Sequence, residues 1–172
     1  MRLYLNANAA ESIVSDRKLA AAFTGHRAAS LPWKSDEHDE RCIALKNRIC
    51  AAVIEAYSEG KRYFISGMAS GVDTYSAEAV IGLKQTLPEI KLICVFPFPP
   101  RDKRSLSIEE KCDLSAIVCN EYIVGCHELR NRLMIANSSM LIACWDGRTE
   151  GGTYRTISLA EEKGSAVKLI RI

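Results

Sequence analysis

Residues 140–170 read MLIACWDGRTEGGTYRTISLAEEKGSAVKLI, and their pattern decides the fold. Met140–Trp145 is apolar at every position, which suits a strand buried on both faces. Gly152-Thr153 then opens a helix that runs to Lys163 and stops at Gly164. Ala166–Ile170 follows as another strand. Strand, helix and strand at this spacing make a right-handed crossover between parallel neighbours.

The same alternation extends back through the chain. Leu19–Phe23 is a short apolar run ending in Thr24-Gly25. Cys42, Leu45, Ile49, Val53 and Ala56 recur at helical spacing between about Asp39 and Glu59, with Gly60 as the stop. Tyr63–Ile65 reads as a strand closed by Ser66-Gly67, Asp73 to Lys84 as a helix, and Lys91–Phe96 (KLICVF) as a strand ended by Pro97-Phe98-Pro99-Pro100. Ser107 to about Ile117 is expected to be a helix with a Ser107-to-Glu110 capping box. Glu121–Val124 is then expected as a strand and His127 to Ser138 as a helix. The whole predicts a doubly wound α/β domain, mainly parallel and three-layered, with helices on both faces of the sheet. Residues 1–18 read as an N-terminal extension ahead of one domain over 19–172.

Composition narrows the class. The 172 residues are 48% hydrophobic and 26% charged, enough to build a core and too apolar for a disordered chain. A formal net charge of +2 argues against a polybasic nucleic-acid or membrane binder. No apolar run approaches the roughly 18–20 residues of a membrane helix, and MRLYLNANAAESIVSDRK has no apolar core of a secretory signal. A cytoplasmic location is therefore expected. The seven cysteines are scattered and form no C-x-x-C pair, so they read as reduced, small hydrophobes rather than disulfide or metal ligands. Cys126-His127 suggests a nucleophile and base only superficially, because adjacent residues on one element point apart.

Ligands of open α/β sheets bind beyond the carboxyl ends of the strands, so the residues after each strand are the ones to read. Gly25, His26 and Arg27 follow the first strand. Ser66, Gly67, Gly71 and Asp73 follow the second. Asp146, then Glu150, Gly151, Gly152 and Thr153, follow the fifth. Small residues there let backbone approach a ligand, and a helix start offers free N–H groups to an anion. Each piece also has a plainer reading: Asp73 suits a helix cap, Gly151-Gly152-Thr153 an ordinary helix start, and Arg130 and Arg132 an exposed charged face. Together, three small-residue loops on one edge with Arg27 and Arg130 nearby favour a nucleotide-sized anion.

TGHR at 24–27, SGMASGVD at 66–73, RNRLM at 130–134 and MLIACWDGRTEGGT at 140–153 occur in this order. That set resembles the YpsA-type proteins of the SLOG superfamily, the Rossmann-like group that also contains the LOG nucleotide hydrolases and the DprA/Smf DNA-processing proteins. The likeness runs from about Ala20 to Ile172. It implies a Rossmann-like sheet with a pocket for NAD, ADP-ribose or a related nucleotide, held by Gly25, Arg27, Ser66, Gly67, Gly71, Asp73, the Arg130-Asn131 pair, and Gly151, Gly152 and Thr153. It also implies a homo-oligomer. LOG enzymes carry GGxGTxxE with a catalytic glutamate, whereas the matching position here is Thr156. If water is activated at all, Asp73 or Glu150 would have to supply the carboxylate. Two other roles stay open: a DprA-like single-strand DNA binder, disfavoured by 7% aromatics and the +2 charge, and a non-catalytic scaffold. Trp33 and Trp145, near loop ends, are candidates for an interface or for covering a base.

Overall fold

The structure, a computed structural model, describes residues 1–8 and 11–172. Seven strands, β1 (Arg2–Tyr4), β2 (Ala20–Gly25), β3 (Tyr63–Ser66), β4 (Lys91–Phe96), β5 (Leu114–Ile117), β6 (Met140–Trp145) and β7 (Ala166–Arg171), form one sheet in the order β1-β5-β4-β3-β2-β6-β7. Every pairing is parallel. Five α-helices cover it: α1 (Glu40–Ser58), α2 (Val72–Leu83), α3 (Lys103–Lys111), α4 (Cys126–Ala136) and α5 (Gly151–Glu162). The fold is the doubly wound, three-layer α/β architecture that the alternation predicts, Rossmann-like in its crossovers.

Period-two alternation along the central strands divides the core. On one face Ala21, Phe23 and Phe64 pack under Leu45, Ile49 and Val53 of α1 and Val72 and Val80 of α2. On the other, Ala20, Ala22, Ile65 and Leu141 meet Leu133 and Met134 of α4 and Ile157 of α5. Both sides of β2 and β6 are therefore covered, which explains their unbroken apolar runs. All seven cysteines are free thiols; five are buried and two half-buried.

The sheet departs from expectation in three places. The helix expected over 107–117 is instead α3, starting four residues earlier, with β5 behind it. Asp102 caps α3 by accepting from the Ser105 N–H at 2.9 Å, so Ser107 lies mid-helix and forms no capping box. Leu114–Ile117 is buried between β4 and β1, and a short apolar run buried on both faces has no period to tell it from helix. Glu121–Val124 is not a strand: Ile123 and Val124 are exposed and have no ladder partner, and strand propensity counts only where a sheet edge receives it. Finally, part of the expected N-terminal extension belongs to the sheet, since β1 pairs with β5 from Arg2↔Ser115 to Tyr4↔Ile117.

Among the described residues, no helix is long and apolar enough to cross a membrane.

Candidate functional site

From β2 the chain winds through β3, β4 and β5 to one side; β6 and β7 lie on the other. The reversal falls between β2 and β6, so the loops leaving these two strands diverge and open a crevice. A cleft of about 1000 Å³ occupies that place. Gly25, His26, Arg27, Asp73, Arg130, Asn131, Glu150, Gly151, Gly152 and Thr153 all line it. Ser66, Gly71 and Asp146 do not, and Gly67 faces a smaller compartment beside it.

The loop after β3 is turned inward. Ser66 is fully buried, and its Oγ donates to the Asp73 carbonyl at 2.8 Å and accepts from the Met68 N–H at 3.2 Å. Asp73 reaches back rather than capping α2: its Oδ2 accepts from the Ala69 N–H at 3.2 Å and from Arg130 at 3.3 Å. Thr74 closes the helix start instead, accepting from the Gly71 N–H at 3.2 Å and donating to the Gly71 carbonyl at 2.9 Å. Gly71 also crosses the first loop in an antiparallel bridge with Arg27, flanked by Ala28 N–H to Ser70 carbonyl (3.0 Å) and Val72 N–H to His26 carbonyl (3.3 Å). Its φ of +100° and a Cβ position 2.5 Å from the Ala28 nitrogen leave glycine the only comfortable residue.

Arg130 is the reason Gly67 has no side chain. Its guanidinium donates to the Gly67 carbonyl and occupies the space a Cβ would need. Arg130 and Asp73 side chains are 7% and 8% exposed, so this is a buried ion pair rather than the exposed charged face that spacing suggested. Burial pushes the Asp73 carboxyl above its ordinary value, against the pull of Arg130, the Ala69 N–H and Arg27. Arg130 is lowered by the same burial yet keeps its charge, as guanidinium does in proteins.

The loop after β6 is open. Glu150, Gly151 and Gly152 are exposed, and a Cβ on either glycine would meet nothing within 4 Å. Trp145 braces the strand end, stacking on Tyr154 with centroids 6.2 Å apart and donating from Nε1 to the Arg148 carbonyl at 2.7 Å. Asp146 accepts from the Arg148 Nε at 2.6 Å and lies 3.0 Å from His26 Nε2, a charge contact not aligned as a hydrogen bond. Burial would raise Asp146, but the Arg148 N–H and guanidinium and His26 outweigh it, so the carboxyl sits below its usual range. Thr156, at the position where LOG enzymes place glutamate, donates to the Gly152 carbonyl at 2.8 Å and accepts from Asn131 at 3.1 Å. It links α4 to α5 and supplies no acid. Trp33 is buried in the core, packed with Leu31 and Leu45, and Cys126 is buried as well.

Several lining residues were not among the expected ligand contacts: Gly125, Glu128, His127, Arg148 and Arg155. Arg155 had a readable signal, since it stands one helical turn after Gly151 and Gly152 and so shares their face. His127 was hidden by its pairing with Cys126. Burial, then Arg130 and Arg27, lower its pKa.

The family model of YpsA, described as the YspA SLOG family, matches residues 21–170. A UPF0398 protein of Halalkalibacterium halodurans is 26% identical over 151 residues, covering 81% of this chain and 79% of that protein. The uncharacterised SPbeta prophage-derived protein YoqJ of Bacillus subtilis is 27% identical over 141 residues, 70% of this chain and 82% of that protein. A UPF0398 protein of Lysinibacillus sphaericus is 26% identical over 152 residues, 81% of this chain and 83% of that protein. The matched span takes in β2 and β6, the crevice between them and every loop that lines it, and the chain belongs to the YpsA family of SLOG proteins.

Proposed function

We propose that the crevice binds a nucleotide of the ADP-ribose or NAD type, with its phosphates at the start of α5. One observation carries this reading. Side chains cap the first turns of α1 and α3, where Asp39 and Asp102 accept from the Arg41 and Ser105 N–H groups. At the start of α2 the Val72 N–H donates to the His26 carbonyl while Thr74 closes on Gly71. Helices α4, behind Gly125, and α5, behind Glu150, have no side-chain cap and both open on the cleft. In α4 the Cys126 and Glu128 N–H groups go to the Ile123 and Gly125 carbonyls, whereas among the described residues no carbonyl or side chain engages the Gly151, Gly152 and Thr153 N–H groups of α5. Uncapped first turns present unsatisfied N–H groups and the positive end of the helix dipole. Arg27 and Arg155 line the same space, are exposed and form no ion pair among the described residues. At α5 an anion therefore meets N–H donors that nothing in the chain already uses, with Arg27 and Arg155 beside them.

Thermal shift against ADP-ribose, NAD and AMP tests the reading, because a ligand that binds only the folded chain raises its melting point. Stabilisation by at least one is expected at millimolar concentration. No shift with any of them would overturn it. A labelled oligonucleotide serves as the contrasting probe, and salt-sensitive binding to it without any nucleotide effect would favour a DNA role.

A further inference from the structure

Beside the main cleft lies a second compartment of about 340 Å³, at the carboxyl ends of β3 and β4. Its size is at the low end for ligand pockets (roughly 300–1000 Å³), fit for one ring system rather than a whole nucleotide. The two spaces share Arg27, Ala69, His127 and Arg130, so they are continuous. Their walls differ. The main cleft is lined by arginines, carboxylates and glycines, and its aromatic rings are those of Phe23, 1% exposed, and the imidazoles of His26 and His127. The side compartment is walled by Met68, Phe96, Pro97, Phe98 and Pro100. Phe98 packs edge-on to His127, with centroids 6.0 Å apart, which holds one wall in place. At the junction, His127 Nδ1 and Arg130 Nε are buried with no hydrogen-bond partner, although Arg130 as a whole is 94% buried. Buried polar atoms of this kind call for a partner.

We propose that this compartment takes the planar heteroaromatic ring of the ligand, seated against Phe98 and Met68, with the His127 ring nitrogen and Arg130 Nε meeting polar atoms at its edge. The phosphates remain in the main cleft at the start of α5. The inference rests on the nucleotide reading above and adds the direction in which the nucleotide lies: base toward β4, phosphates toward β6. A ring placed there is shielded from water on its apolar faces, and stacking against an aromatic side chain favours every base.

The test compares AMP with ribose 5-phosphate, which shares the sugar phosphate and lacks the base, by titration calorimetry. AMP should bind at least about tenfold more tightly, within the range expected of one stacked base. In Phe98→Ala that ratio should collapse to about threefold or less. Ser70→Trp, at an exposed rim position of the compartment, should fill the space and collapse the ratio as well, so the result does not depend on how one loop tolerates a truncation. Equal affinities for the two probes in the unaltered protein, or a ratio that survives both substitutions, would overturn the ring subsite while leaving phosphate binding intact. Binding of neither probe would remove the nucleotide reading and the subsite with it.

Discussion

Two glycine loops leave the same edge of the sheet, and the chain uses them in opposite ways. Residues 66–73 spend their hydrogen bonds on one another: Ser66 on Asp73, Thr74 on Gly71, Asp73 on Ala69 and on Arg130. At residues 151–153 the N–H groups are left unused, with Gly151 and Gly152 exposed and the first turn of α5 uncapped. In sequence both are small-residue stretches between a strand and a helix. The difference lies in what each glycine makes room for. Gly67 and Gly71 accommodate the protein's own Arg130 and its own first loop, whereas a Cβ at Gly152 would meet open space. A glycine loop is thus a candidate ligand site only when its donors are still free.

That contrast can be broken most forcefully at Asp73. Asp73→Ala leaves Arg130 buried without its counter-charge, a loss of about 3–5 kcal/mol of stability, read as a lower urea midpoint. A change under about 1 kcal/mol would mean that the ion pair is not what holds the second loop. Next comes Gly71→Ala, which combines a left-handed backbone with overlap on Ala28 and should cost about 2 kcal/mol or more. Gly152→Ala sharpens the comparison from the other side. Its stability should move by no more than about 0.5 kcal/mol, while affinity for ADP-ribose falls about tenfold, or 1.4 kcal/mol, as the new methyl stands off the phosphate. If Gly152→Ala destabilises the fold as much as Gly71→Ala, the two loops are alike and the contrast fails.

The smallest effect concerns His127, which sits between the loops. Burial, Arg130 and Arg27 hold its folded pKa below 6.5, so between that value and 6.5 the unfolded chain binds more protons. Stability should therefore fall as pH drops through 6.5 and level off below the folded pKa. Proton NMR of the imidazole gives the midpoint directly, and Arg27→Ala should raise it. A midpoint at or above 6.5 contradicts the burial.

How much of this was legible depended on distance along the chain. The βαβ unit over 140–170 and the helix at Glu40–Ser58 carry their own local patterns, and the structure places them within a residue or two of the expected bounds. Strand β1 was not legible, because three residues, two of them exposed, have too short a pattern. Strand β5 looked helical because burial on both faces erases period. Glu121–Val124 looked like a strand because its side chains favour one, but no edge receives it. At the site, the residues beside each strand end could be named, yet not their use. Arg130 meets Asp73 across 57 positions of sequence, and no local pattern reveals such a pair. The free donors of α5 stand out only beside the engaged first turns of the other helices.

Amide chemical shifts on adding ADP-ribose to the uniformly nitrogen-15-labelled protein test the central claim most directly. The largest movements should fall on Gly151, Gly152 and Thr153, with smaller ones at 66–73, where the Met68, Ala69, Gly71 and Val72 N–H groups are already engaged. Movements concentrated at 66–73, or none at 151–153 under saturating ligand, would contradict it.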